Sequence, residues 1–324
     1  MSMNVKVFIT IDTEEDLWDD WRRKDNPVEN VSQIPLLQEL FDRYGAIPTY
    51  LVNYPVITNE YSSRIIREIH DRGNCEIGTH IHPWNTPPFE EPICAENSFI
   101  CNLSQELVRK KITSLHYKIK DYIGIEPKCF RAGRWGLGPT VASCIDELGY
   151  LIDTSITPFC DWTGEEGPDF TDAPYLPYRF EPTDILSENY NGPLLEIPPT
   201  IGFFQHHFDR CAEVRKWILD SRLSRCHLVG ILDRLRIINF RLLSPEVSSG
   251  SDMIRLAQSF VKNNYTFLNM FFHSNSLLPG NSPFVQDEKG LQRFLRHIEI
   301  FIRYAANQGF IFAPLGAASE EHLC

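Results

Sequence analysis

Apolar and polar residues alternate along this chain in two periods. Short continuous apolar runs stand at 5–11 (VKVFITI), 47–53, 75–82, 127–136, 151–156, 194–200, 266–274 and 310–315, and read as strands, with 127–136 a strand and turn. Between them lie amphipathic stretches with apolar residues three and four apart. These predict helices over 31–44, 62–73, 103–124, 141–150 and 287–309, with Ser104 as an N-cap and Gly45, Gly73 and Gly124 as stop signals. Strands that alternate with helices of this length predict parallel pairing with crossover helices, as a barrel or an open doubly wound sheet. The stretch 157–193, rich in Pro, Gly, Asp and Glu, predicts a long loop that covers a site.

The polar residues that interrupt the pattern fall where strands end: Asp12, His80, Arg131, Asp153 and His273. In a parallel barrel those ends converge on one face, where α/β enzymes place their chemistry. Residues i and i+2 of a strand share a side. His80 and His82 therefore face the same way, and with a carboxylate from another strand they make a three-ligand metal site with a position left for water. Asp12 and Glu14 obey the same rule if the first strand continues past Ile11, so that one can ligate while the other accepts a proton. Arg131 can lock a catalytic carboxylate. His273, at the mouth of an uncharged strand, suits a general acid for a departing amine. Asp153 can orient His273 or help hold Arg131. Trp84, Trp135 and Trp162 are plates suited to a sugar ring.

Composition narrows the classes. The 324 residues are 43% hydrophobic and 23% charged, with a net charge of −12. This describes a globular chain and argues against nucleic acid as a partner. The nine cysteines, Cys75, Cys94, Cys101, Cys129, Cys144, Cys160, Cys211, Cys226 and Cys324, contain no C-x-x-C pair. They predict reduced thiols and exclude a zinc knuckle. Neither a signal peptide nor an apolar span is visible, which predicts a cytoplasmic protein with no transmembrane segment and leaves peripheral contact with the inner membrane open. One segment departs from the acidic average. Residues 209–241 carry eight Arg or Lys against four Asp or Glu, a net of +4. It reads as a solvated helical insertion at about 203–245 or as a docking face for phosphates or anionic headgroups.

In chain order, ITIDTEED, EIGTHIHPW, FRAGRWG, DTSI and FFHS resemble the five motifs of the polysaccharide deacetylase family, the NodB-homology group or carbohydrate esterase family 4. More narrowly they resemble its WalW-like branch in lipopolysaccharide and surface-polysaccharide biosynthesis. The resemblance spans residues 5 to about 315 and implies a single distorted (β/α)7 barrel over 1–324. It also implies a divalent metal, with zinc the expected ion, and removal of an acetyl group from an amino sugar carried on a nucleotide, lipid or oligosaccharide. By position it makes Asp12 the general base, His80 and His82 metal ligands, Arg131 the tether of the base, Asp153 the residue that tunes the acid and His273 the acid. The usual adjacent aspartate pair is absent here, so Glu14 substitutes as ligand on strand-face geometry, or Asp12 ligates and Glu14 is the base. The two histidines stand two apart rather than four. Two other readings are a catalytically degenerate glycan-binding homologue and a metal-dependent hydrolase of another C–N amide.

Overall fold

The computed structural model describes residues 4–221 and 228–320. The chain runs β1 (Lys6–Thr13), α1 (Ile34–Asp42), β2 (Thr49–Val52), α2 (Tyr54–Thr58), α3 (Glu60–Asp71), β3 (Glu76–Ile81), α4 (Gln105–Ile123), β4 (Cys129–Ala132), α5 (Pro139–Glu147), β5 (Ile152–Asp153), β6 (Tyr178–Phe180) and β7 (Leu194–Glu196). It continues with β8 (Ile201–Phe203), α6 (Phe208–Asp220), α7 (Leu228–Arg234), β9 (Phe240–Leu242), α8 (Gly250–Lys262), β10 (Phe267–His273), α9 (Glu288–Asn307) and β11 (Ile311–Phe312).

Seven parallel strands, in the order β10-β1-β2-β3-β4-β5-β7, make the main sheet; β6 pairs antiparallel with β7, and β11 pairs with the start of β1. The sheet curls until the segment after β7 meets β10, where the Thr200 amide donates to the Asn269 carbonyl at 3.0 Å. This is the expected distorted (β/α)7 barrel. Alternation along the strands builds its layers. Val7, Ile9 and Ile11 of β1 point outward into the large core beneath the helices, whereas Phe8 points inward and joins Leu51, Cys129, Ile152 and Leu195 in an apolar floor. Ala313, Leu315 and Ala318 complete that floor from the C-terminal segment.

Above the floor the interior is polar and carries a bonded side-chain network. Thr10, Arg131, Thr154 and Asn269 form one network: Thr10 Oγ1 donates to Asn269 Oδ1 at 2.9 Å, and Asn269 Nδ2 donates to Thr154 Oγ1 at 3.0 Å. A polar layer in a buried interior is tolerable only on these terms.

The local rules work where they were applied. Ser104 caps α4, and Gly124 ends it at φ 90°. Two features, α8 and β6, differ from expectation. Helix α8, capped by Ser249, lies in a stretch not read as helical. The strand and turn expected over 127–136 divide at Ala132, where Arg134 and Trp135 turn left-handed at φ 54° and 61°. The expected loop 157–193 contains β6. The basic segment holds α6 and α7 between the antiparallel strands β8 and β9; its Arg222 and Arg225, like Cys226 and Cys324, lie outside the described residues. The seven described cysteines are free of disulfides. Among the described residues, no helix is long and apolar enough to cross a membrane.

Candidate active site

Strand register sets the candidate residues side by side at the C-terminal ends of the strands. Asp12 stands opposite His273 across β1 and β10, His80 opposite Arg131 across β3 and β4, and Asp153 opposite Glu196 across β5 and β7. Of these, Asp12, His80 and His273 line a cavity of about 510 Å³ whose wall also includes Trp18, Trp84, Trp135, Trp162 and Phe284.

His80 and His82 do share a face. Their Nε2 atoms lie 3.0 Å apart, and Glu14 Oε2 lies 3.3 Å from each. All three residues are buried. Tetrahedral zinc with bonds near 2.0–2.1 Å requires ligand atoms about 3.3 Å apart, so the triangle fits a small divalent cation. Its chemistry fits as well. Glu15 accepts from His82 Nδ1 at 3.0 Å, which fixes the tautomer and leaves the Nε2 lone pair aimed at Glu14 and His80. Burial pushes the Glu14 carboxyl up to about 8 despite the neighbouring His273 and His82. Asn275 Nδ2 donates to Glu14 Oε1 at 3.0 Å, and the Glu14 amide donates to Ser274 Oγ at 3.1 Å.

Asp12 is engaged elsewhere. Arg131 Nη1 donates to its Oδ1 at 2.7 Å, while Nη2 reaches Thr10 Oγ1 at 2.7 Å and Nε reaches the Thr154 carbonyl at 2.9 Å. Arg131 is completely buried, so it holds one geometry. Burial pushes the Asp12 carboxyl up, but Arg131, His80 and His273 outweigh it and hold Asp12 below its usual range. His273 Nε2 lies 3.6 Å from Asp12 Oδ2.

Asp153 and His273 do not meet as partners. Asp153 accepts from the amide and hydroxyl of Ser155, each at 2.9 Å, and stands beside Glu196 in the strand register. Glu246 occupies the position beside the imidazole: its Oε2 lies 3.0 Å from His273 Nδ1. Burial pulls the His273 imidazole down, but Glu246, with Glu14 and Asp12, lifts it to about 10. Trp84 is buried against His82, stacked at 4.1 Å, and its indole N–H donates to Glu15 Oε1 at 3.0 Å. Trp135 lines the cavity from above Arg131, with 5.2 Å between the guanidinium and the ring.

Sequence reasoning passed over Glu15 and Glu246. Glu15 lay in view inside ITIDTEED, three residues past Asp12. Glu246 sits in a Ser-Pro-Glu turn with no pattern around it. The glycine of FRAGRWG has a steric reason: a Cβ on Gly133 would lie 2.2 Å from His82 Cδ2. The following Arg134 is held in its left-handed conformation by Asp19 and Glu165 at 3.1 and 2.7 Å, across the mouth of the cavity. Such strain at a pocket rim is typical of functional sites.

No family model and no curated protein matches the sequence. Solved structures do. A protein assigned as a polysaccharide deacetylase from Mycobacterium smegmatis superposes at TM-score 0.57 with 14% identity, over 99% of this chain and 90% of that one. The fold is the one that deacetylase carries. A glycoside hydrolase/deacetylase assignment from Parabacteroides distasonis gives TM-score 0.59 at 10% identity, over 98% of this chain and 71% of that one. A GH57 branching enzyme from Thermococcus kodakaraensis, solved with glucose, gives 0.53 at 11%, over 99% and 72%. The deacetylase fold thus also carries other carbohydrate chemistry, and the reaction must be argued from the site.

Proposed function

We propose that this chain is a metal-dependent deacetylase that hydrolyses the N-acetyl group of an amino sugar. One observation carries the reading: the Glu14–His80–His82 triangle opens into the same cavity as an arginine-held aspartate and a carboxylate-held histidine. A base kept ionised and an acid kept protonated, on either side of a cation site, is the arrangement amide hydrolysis requires.

Glu14, His80 and His82 would hold the ion, with zinc the expected one. A bound divalent ion there would polarise the acetyl carbonyl and acidify a water. Asp12, with one oxygen tied to Arg131, takes the water proton on its free Oδ2. His273, with Nδ1–H donated to Glu246, presents Nε2–H to the departing nitrogen, which leaves as an amine together with acetate. Trp135, Trp18 and Trp162 offer faces for the sugar. Asp153 acts at one remove, through the Arg131 layer.

Charge in the cavity shapes the substrate. Its wall carries Asp12, Glu14, Glu15, Asp19, Glu165 and Glu246, while Arg134 is already paired. An uncharged acetylated ring suits this lining, and any phosphate of a nucleotide or lipid carrier would lie beyond the mouth. Placement with WalW-like proteins of surface-polysaccharide biosynthesis rests on the ordered motifs alone, as does a cytoplasmic site of action.

The test is acetate release from acetylated amino sugars, with and without a chelator, for wild type, Asp12→Asn and His273→Ala. Loss of release in all three perturbed cases is expected. Full activity in both variants rejects the assignment. A wild type that retains sugar but releases no acetate with metal bound is instead a glycan-binding homologue.

A further inference from the structure

Fifteen large apolar side chains are exposed among the described residues, and six fall between 214 and 237: Val214, Trp217, Leu219, Ile231, Leu235 and Ile237. Trp217 is 62% exposed and Leu235 63%. They lie on α6, on α7 and in the turn that follows. Burying a side chain of this kind is favourable, so a concentration of them left in water marks a contact surface. Exposed basic residues stand among them: Arg210, Lys216, Arg234 and Arg236.

We propose that α6 and α7 form a docking element for an anionic lipid surface. Its apolar side chains enter the boundary between headgroups and acyl chains, and its basic side chains meet the lipid phosphates. Charge decides among occupants. The segment 209–241 carries +4 in a chain of −12, leaving −16 on the remainder. An anionic bilayer repels the remainder taken as a whole and attracts this segment. A two-fold contact between copies through the same face would oppose its own basic residues. Nucleic acid would use the charges but not six aliphatic and indole side chains.

The element is also joined to the cavity. Strand β9 leaves α7 and leads directly into Leu242, Ser244, Glu246 and Val247, which line the cavity wall. Docking would hold that wall close to the bilayer. The proposal concerns binding alone and stands whether or not the site is a deacetylase.

Co-sedimentation of the full chain with vesicles tests it, using phosphatidylcholine alone and phosphatidylcholine with phosphatidylglycerol. Binding to the anionic vesicles only, weakened by salt, is expected. The pair Trp217→Ser with Leu235→Ser, and separately Arg234→Glu with Arg236→Glu, should each lower the affinity about tenfold or more. All four positions are exposed, so the far-UV spectrum serves as the folding control. If the serine pair misfolds, the charge-reversal pair decides. Failure to bind anionic vesicles, equal binding to neutral ones, or variants that bind like wild type overturns the proposal. So does a concentration-dependent dimer abolished by Trp217→Ser, which assigns the face to a second copy.

Discussion

His273 is held by Glu246, with Nδ1 and Oε2 3.0 Å apart. The same carboxylate accepts from Ser276 Oγ at 2.6 Å and from the His273 amide at 3.2 Å, so it is locked from three sides. The motif resemblance assigns this support to Asp153, which sits beneath the Arg131 layer with Glu196 instead. Glu246→Gln removes the charge that opposes the desolvation of His273, and the imidazole then loses its proton at lower pH. The high-pH limb of the pH–rate profile should move down, and kcat should fall within the range of about 10²–10⁴ that a positioned acid contributes. An unchanged limb would assign Glu246 to packing alone.

Arg131 and Asp12 are a fully buried pair. Removing one partner leaves a charge without compensation, at a cost of about 3–5 kcal/mol. Arg131→Met should lose that much stability in urea unfolding and all acetate release. Asp12→Asn retains an acceptor for the guanidinium and should fold while losing activity. A loss below about 1 kcal/mol for Arg131→Met would show that the pair is solvated.

Metal retention should depend on residues that never touch the ion. Glu15 orients His82 through Nδ1, and changes to such partners cost about 10–100-fold in metal affinity. Glu15→Gln should show that loss by competition with a chromophoric chelator, and His80→Ala should show more. Gly133→Ala should weaken metal binding too, because its Cβ would meet His82 Cδ2 at 2.2 Å. Equal affinity in all three would remove the centre from this location.

Burial pushes the Glu196 carboxyl well above its usual range, with Asp153 reinforcing the shift. The sign follows from proton counting. Above the ordinary carboxylate value the unfolded chain has released this proton while the folded chain keeps it. Stability is therefore full at low pH and falls as pH rises toward the folded value, by about 1.4 kcal/mol per unit for one proton. Glu196→Gln cannot titrate. Between about pH 6 and pH 8 its urea-derived stability should fall less than that of wild type. Parallel curves would show that Glu196 is already ionised.

Legibility followed distance along the chain. Eight strands and five helices could be read because each is a local periodicity, and β1 was clearest because apolar residues cover both its faces. Helix α8 escaped because its apolar positions, Met253, Leu256, Ala257 and Phe260, lie among serines, a glycine and an asparagine pair that read as loop. His80 and His82 could be paired because the strand period is two. Glu246 could not be paired with His273, since no local rule spans the 27 residues between them.

The amino-acid order by itself determined which residues could bear charge, which faces were apolar and which strand ends carried imidazole or carboxylate. Those properties depend on composition and on repeats of two or 3.6 residues. Tertiary structure decided between Glu14 and Asp12 beside the imidazoles, and it alone supplied Glu246 on His273 and Glu196 beside Asp153. The reason is physical. A buried charge takes its partner from whichever strand or loop the closing barrel brings within about 3 Å, and that choice is made by register and curvature, which no short stretch encodes.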